Sequence, residues 1–418
     1  MKGTISEKIL ARASNKKEVS PGDIVVAEVD IVMINDITGP PAINAFRSIG
    51  KPIWDRNKIV MVIDHIVPPS SEHAARLHRE MKNFAREEEI PHYYDSAGIC
   101  HQILPEKGHV APGNLIVGAD SHTCTYGAFG AFATGIGSTE AAAVFATGKI
   151  WLRVPETIEI KIEGTLKDMV TPKDVILNIL GEIKADGASY KAIEFRGNTV
   201  KDMSISGRMT LCNMAVEMGA KVGLIEPDKK TEEFLKDRNV EFKHIKSEGK
   251  YEQTYNFEVS DLEPQVAKPH RVDDVTSVSE VEGMEIDQGF IGTCTNGRLE
   301  DLKQAAMILK NQKVDENCRL IVIPASIEVY NQALNQGLIN IFLKSGAIVC
   351  HPNCGPCLGS HEGVLSEGEV CISSSNRNFP GRMGSREAKI YLASPVTVAA
   401  SAIKGKITDP REMYSRGI

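Results

Sequence analysis

The sequence has no run of about 18 uncharged apolar residues, so nothing in it can cross a bilayer as a helix. Its N-terminus, Met1-Lys-Gly-Thr-Ile-Ser-Glu-Lys8, lacks the apolar core of a secretory signal. It has no block of lysine and arginine, and its net charge is −7. That argues against a non-specific nucleic-acid binder, since counterion release needs clustered cations. The glycine-rich stretch Tyr126–Ser138 has no Gly-Lys-Ser/Thr ending, which argues against a phosphate loop. Cysteine is sparse and odd in number, nine in 418 residues, unlike the dense even sets of secreted scaffolds. These absences point to a cytoplasmic chain with a small ligand, no membrane and no nucleic acid, whose cysteines are reduced or bind metal.

What is present is an ordinary globular composition, 42% hydrophobic and 25% charged, with length for two or three domains. Apolar β-rich runs such as Lys58–Asp64, Asn114–Asp120 and Arg319–Pro324 alternate with helical stretches, the pattern of mostly parallel, buried strands. Thr171, Pro172 and Asp174 form a helix start ahead of Val175–Leu180, and Ser138-Thr-Glu140 opens another. Composition shifts near Val154-Pro155 and across the polar segment from Lys229 to about Glu282 divide the chain into three α/β units, 1–155, 156–280 and 281–418.

In the third unit the chemistry-bearing residues each follow a strand-like run. Cys294 follows Gln288–Thr293, Cys354 and Cys357 follow Gly346–Cys350, and Asn376 and Arg377 follow Glu369–Ser373. Ligands in doubly wound sheets sit outside the carboxyl ends of strands, so such loops can share one crevice. Three thiolates, in Gly292-Thr-Cys-Thr-Asn-Gly297 and Asn353-Cys-Gly-Pro-Cys-Leu-Gly359, leave one metal corner open, whereas closed sites take four protein ligands. Alone, the Cys-x-x-Cys pair also fits a redox dithiol, half a zinc site or a chance pair in a turn. Cys350 and His351 would allow a Cys3His zinc site, although Cys350 ends an apolar run and is expected to be buried. The other five cysteines, Cys100, Cys124, Cys212, Cys318 and Cys371, are expected to pack.

Asp64-His65 and Asp120-Ser-His122 close apolar runs, and His101 follows Cys100 in a similar position. A carboxylate fixes the imidazole tautomer and raises its basicity, which suits proton transfer to a leaving hydroxyl. Asn376-Arg-Asn-Phe-Pro-Gly-Arg382 carries two guanidinium forks of the kind that bind carboxylates. Glu217 lies four residues beyond Asn213, on the same helical face; in isolation it reads as a surface carboxylate.

Together, Gly118-Ala-Asp-Ser-His-Thr123, the two cysteine motifs and the Asn376–Arg382 segment resemble the aconitase superfamily essentially end to end. The resemblance implies three α/β/α units with mostly parallel sheets around a 4Fe-4S cluster held by Cys294, Cys354 and Cys357. The fourth iron would bind the substrate hydroxyl and a carboxylate. It implies that Asp64 and His65 protonate the departing hydroxyl, and that His101, Asp120, His122 and Glu217 shape the water site. Asn213 and Asn376 would stand near the cluster, with Arg377 and Arg382 holding substrate carboxylates. Asn35-Asp-Ile-Thr38 replaces a Gln-Asp-x-Thr motif of aconitases proper with a shorter amide. Single-chain members also carry a swivelling domain whose Ser-Ser-Arg segment supplies the base. None is found here, so a separate small subunit is expected. The implied reaction moves a hydroxyl between adjacent carbons of a hydroxy di- or tricarboxylate by dehydration and rehydration. The favoured substrate is 3-isopropylmalate, as in leucine biosynthesis, with homocitrate-type and methylmalate-type acids as alternatives. A regulatory cluster or zinc protein and an electron-transfer protein are the rival classes.

Overall fold

The computed structural model describes residues 2–238 and 240–414. They form two compact units. One comprises Met1–Asp64, Pro68–Glu163 and Asp186–Phe257, the other His65–Val67, Gly164–Ala185 and Glu258–Ile418. Among the described residues no helix is long and apolar enough to cross a membrane.

The first unit is built on a parallel sheet of β2 (Ile31–Asn35), β3 (Ile59–Ile63), β4 (His92–Asp95), β5 (Leu115–Gly118) and β6 (Phe132–Gly135). Its order is β4-β3-β2-β5-β6. The chain adds β3 and β4 on one side of β2 and then returns to add β5 and β6 on the other. Strand order therefore reverses between β2 and β5, where a crevice opens at the carboxyl ends. All five residues of β3 are buried, as expected for a strand covered on both faces. On one face Phe46, Phe84 and Phe145 meet at centroid distances of 5.9 to 6.3 Å. Each buried ring contributes about 1.5–3 kcal/mol over exposure. An antiparallel ribbon of β1 (Ile24–Glu28) and β7 (Lys149–Arg153) flanks the sheet.

The same unit holds a four-stranded sheet, ordered β10-β9-β8-β11, from β8 (Thr157–Glu163), β9 (Ala192–Arg196), β10 (Val222–Leu224) and β11 (Gln253–Glu258). Its parallel part packs on the 3-10 segment Ser121–Phe129 that leaves β5. The approach is so close that the amide of Ile225 donates to Gly127 O (3.0 Å), and a methyl group on Gly127 would overlap the carbonyl of Gly223. Glycine is required there by space.

The second unit contains a seven-stranded sheet ordered β13-β12-β18-β17-β14-β15-β16. Its strands are β12 (Gln265–Ala267), β13 (Val275–Ser277), β14 (Gln288–Ile291), β15 (Arg319–Val322), β16 (Ile348–Val349), β17 (Val370–Ser373) and β18 (Lys389–Leu392). Pairing is parallel from β18 to β16, and β12 and β13 extend it antiparallel. Order reverses between β14 and β17, so this sheet too has a switch point. The helix Pro172–Ile183 packs on β12 and β13 and starts with a Thr171/Asp174 capping box, as its sequence predicts. The mixed α/β class with mostly parallel sheets is borne out. We propose that the three large sheets mark the units 1–155, 156–280 and 281–418, although β12 and β13 belong by pairing to the sheet of the third.

Gly127→Ala should lower stability by about 1–3 kcal/mol, the usual cost of overpacking. Urea denaturation checks this; an unchanged midpoint would show that the Ser121–Phe129 segment does not need its contact with β10.

Candidate active site

In the first unit the polar side chains gather at the switch point between β2 and β5. Asn35 ends β2 and Asp120 follows β5; Asn35 Nδ2 donates to Asp120 Oδ2 at 3.3 Å. Asn35 Oδ1 accepts from the amides of Ile37 and Thr38 and from Thr38 Oγ1, fixing the turn that carries Asp36. The shorter amide at this position thus keeps a full set of partners. Asp120 caps the segment bearing His122, accepting from the His122 amide at 2.8 Å, and its Oδ1 lies 2.9 Å from His101 Nε2. Burial alone would raise the Asp120 carboxyl. The charge of His101 and hydrogen bonds from His101 and His122 outweigh it and hold the group well below the usual range.

His122 Nε2 lies 3.0 Å from Glu217 Oε1, and Asn213 Nδ2 donates to Thr125 Oγ1 (2.8 Å), whose hydroxyl donates to His122 O (2.7 Å). Glu217 stands on the 3-10 turn Ala215–Met218 that continues the helix Ile205–Met214, so it is drawn inward. Glu217 is buried against an imidazole, unlike the surface carboxylate that its position in isolation suggests. His101 Nδ1 lies 3.2 Å from Tyr126 OH. His101 and His122 thus each face a carboxylate, Asp120 and Glu217, while Asp120 meets His122 through the backbone amide. Such pairing holds the orientation of each imidazole.

Asp64, at the end of β3, accepts from the amide of Cys100 at 2.6 Å and so holds the helix Cys100–Glu106 that carries His101. Its own amide donates to Asp36 Oδ1, and Asp36 Oδ2 lies 3.3 Å from His78 Nε2. Asp36 and His78 were not identified from sequence. The first stood in the quoted Asn35–Thr38 turn, but nothing local marks the second. His65 belongs to the second unit, on the short segment His65–Val67. That segment is tied down where Val67 O accepts from Asn353 Nδ2 (2.9 Å) and stands 3.0 Å from His361 Nε2.

In the second unit the cysteine loops lie at the carboxyl ends of the parallel strands. Cys294 follows β14 after Thr293, a β-branched residue at φ +72°, a strained conformation that re-aims the chain. Beneath this turn the buried Arg298 guanidinium donates to the carbonyls of Thr295 (2.7 Å) and Cys294, while Asp301 accepts from the Arg298 amide and Asn296 Nδ2. Cys354 caps the 3-10 turn Gly355–Leu358, Cys357 lies within it, and the Gly355 amide donates to Asn353 Oδ1. Gly355 has φ +57°, and a side chain there would run into Ile323, so the glycine of Cys-Gly-Pro-Cys is a steric requirement.

Asn376, after β17, brings the motifs together. Its Nδ2 lies 3.6 Å from Cys294 Sγ and its Oδ1 3.9 Å from Cys357 Sγ. Arg382 Nη2 donates to Cys357 Sγ at 3.4 Å, a contact that suits a thiolate acceptor. Arg377 is half-buried beside Asn376. None of the nine cysteines is in a disulfide, and Cys294, Cys354 and Cys357 are buried. Cys294 and Cys357 meeting at one asparagine, with an arginine on Cys357, fit a metal cluster. Cys350 differs. It is half-buried rather than buried, a correction to the sequence reading, because β16 is short and lies at the sheet edge. Burial and the Glu362 carboxylate push its thiol up to about 12. Lys173, also missed, is fully buried at the second position of its helix. Burial draws its ammonium down to about 7 against the pull of Asp174, Asp301, Cys294 and Cys357.

Residues 7–405 match the model of the aconitase family (aconitate hydratase). The chain is 57% identical to 3-isopropylmalate dehydratase large subunit 1 of Methanopyrus kandleri, over 98% of this chain and 99% of that protein. It is 53% identical to the probable methanogen homoaconitase large subunit of Methanothermobacter thermautotrophicus, over the whole of both. The crystal structure of Thermococcus kodakaraensis aconitase X in its holo-form covers 87% of this chain and 89% of its own, with a TM-score of 0.50 and 14% identity, a likeness of fold alone. Aconitase-family proteins bind a 4Fe-4S cluster. With a family match over nearly its whole length, the chain belongs to the aconitase family and is a hydro-lyase.

Proposed function

We propose that this chain is the large subunit of a 3-isopropylmalate dehydratase, interconverting 2- and 3-isopropylmalate by loss and re-addition of water in leucine biosynthesis. The observation that carries the reading is the 57% identity to the Methanopyrus protein of that name across 98% of the chain. Cys294, Cys354 and Cys357 hold a 4Fe-4S cluster; the Asn376 amide reaching two of the thiols supports this assignment. When bound, the cluster supplies a Lewis-acidic iron that makes hydroxide a feasible leaving group.

The chain's own residues do the rest. Asp64 and His65 deliver the proton to the departing hydroxyl. The ionised Asp120, between His101 and His122, orders the water that leaves and returns, and Glu217 fixes the His122 tautomer. Asn213 and Asn376 position groups beside the cluster. Arg377 and Arg382 bind substrate carboxylates by their planar forks; Arg382 is also engaged with Cys357, which makes Arg377 the cleaner residue to test. The proton removed is alpha to a carboxylate and needs a base. That base comes from a separate small subunit carrying the swivelling Ser/Arg segment; relatives named as large subunits support the existence of such a partner, and the assembly works in the cytoplasm. The competing substrate is homocitrate or homoisocitrate, favoured by the homoaconitase relative.

The anaerobically reconstituted chain should turn over 3-isopropylmalate only when the small subunit is added. Turnover of homoisocitrate instead would move the assignment to homoaconitase, and activity without a partner would remove the split-site reading.

Cys294→Ser, Cys354→Ser and Cys357→Ser should each lose most bound iron and sulfide, whereas Cys350→Ser should retain them. Normal iron content in Cys294→Ser would sink the ligand assignment.

Arg377→Lys keeps the charge but loses the fork. A lost charged hydrogen bond of about 1.5–3 kcal/mol corresponds to a fall in kcat/KM of roughly ten- to a hundredfold. An unchanged kcat/KM in the assembled enzyme would exclude Arg377 from substrate binding.

A further inference from the structure

Lys173 is fully buried, and the helix it opens does not need it: the capping box is made by its neighbours Thr171 and Asp174. A buried ammonium is costly unless its charge is answered. Its Nζ donates to two neutral groups, the carbonyls of Ser374 (2.9 Å) and Ser375 (2.6 Å), and makes no ion pair among the described residues. The nearby carboxylates are otherwise engaged. Asp174 accepts from the amides of Thr171 and Gln265, and Asp301 from the Arg298 amide and Asn296. Beyond those carboxylates, Cys294 and Cys357 lie within electrostatic reach of Lys173 and would carry negative charge once they bind metal.

The two carbonyls it grips belong to the residues immediately before Asn376, whose amide touches both of those thiols. The same turn is tied to the Cys294 loop, since Ser374 Oγ accepts from the Gly292 amide at 3.0 Å. The ammonium therefore fixes the turn that aims Asn376, within electrostatic reach of the two sulfur atoms.

We propose that Lys173 is a positioning residue and buried counter-charge for the thiolate site: it anchors the Ser374-Ser375 turn so that Asn376 reaches Cys294 and Cys357, and it offsets the anionic charge gathered there. This rests on the reading of those cysteines as cluster ligands. A cationic donor behind the ligands favours the reduced, more negative state of a cluster and strengthens its retention.

The test compares Lys173→Gln, which retains hydrogen-bond donors without charge, with Lys173→Met, which removes both, in the chain reconstituted anaerobically with iron and sulfide. Folding is checked by circular dichroism and the potential by a titration followed with electron paramagnetic resonance. Both variants should take up the cluster at a more negative midpoint potential than wild type and release it to a chelator at least about tenfold faster. Lys173→Met should also hold less iron. A wild-type potential and release rate in Lys173→Gln would overturn the counter-charge role, and wild-type iron content in Lys173→Met would overturn the positioning role. A wild-type chain that takes up no cluster would instead overturn the underlying reading of the cysteines, an outcome read before any variant is made.

Discussion

Both large parallel sheets depend on one topological constraint. Where strand order reverses, the chain must leave two neighbouring strands in opposite directions, and the gap at their carboxyl ends can be filled only by short loops and their side chains. In the first unit that gap lies between β2 and β5, and Asn35 and Asp120 meet across it. In the second it lies between β14 and β17, where Cys294 follows one strand and Asn376 the other. Residues more than eighty positions apart are thereby brought to hydrogen-bonding distance by the sheet alone.

Such gaps are buried, so their polar groups must answer one another. In the first unit the answer is a pair of imidazoles that each have a carboxylate, with Asp120 kept ionised by its histidines. In the second, cations brace the loops that carry the thiols. Arg298 lies under the Cys294 turn, Arg382 stands on Cys357, and Lys173 bonds the carbonyls of Ser374 and Ser375. Cationic donors so placed would help retain an anionic cluster.

Much of this was legible in the sequence because it is local. The apolar runs around Lys58–Asp64, Asn114–Asp120 and Arg319–Pro324 contain β3, β5 and β15, and Thr171 and Asp174 cap the helix as their spacing predicts. The motifs around Cys294, Cys354 and Asn376 follow strands as read. What escaped depends on distant packing. Glu217 was named only through the family resemblance, because the 3-10 segment that turns it inward is not revealed by periodicity, and Cys350 is half-exposed because its strand is a short edge. Lys173 sits between two recognised capping residues and looks like any exposed lysine of a first turn. Its burial is set by β17, some two hundred residues later. The pairing of β12 and β13 with the last sheet is equally invisible to local pattern, since both strands are only three residues long.

The central claim is that the three thiols hold a cluster with an iron open to substrate. The most direct test is the electron paramagnetic resonance spectrum of the reduced, reconstituted chain with its small subunit, recorded with and without 3-isopropylmalate. The account predicts a substrate-dependent change in the cluster signal. A fully loaded cluster whose spectrum does not respond to 3-isopropylmalate or homoisocitrate would contradict it and indicate a structural or redox role.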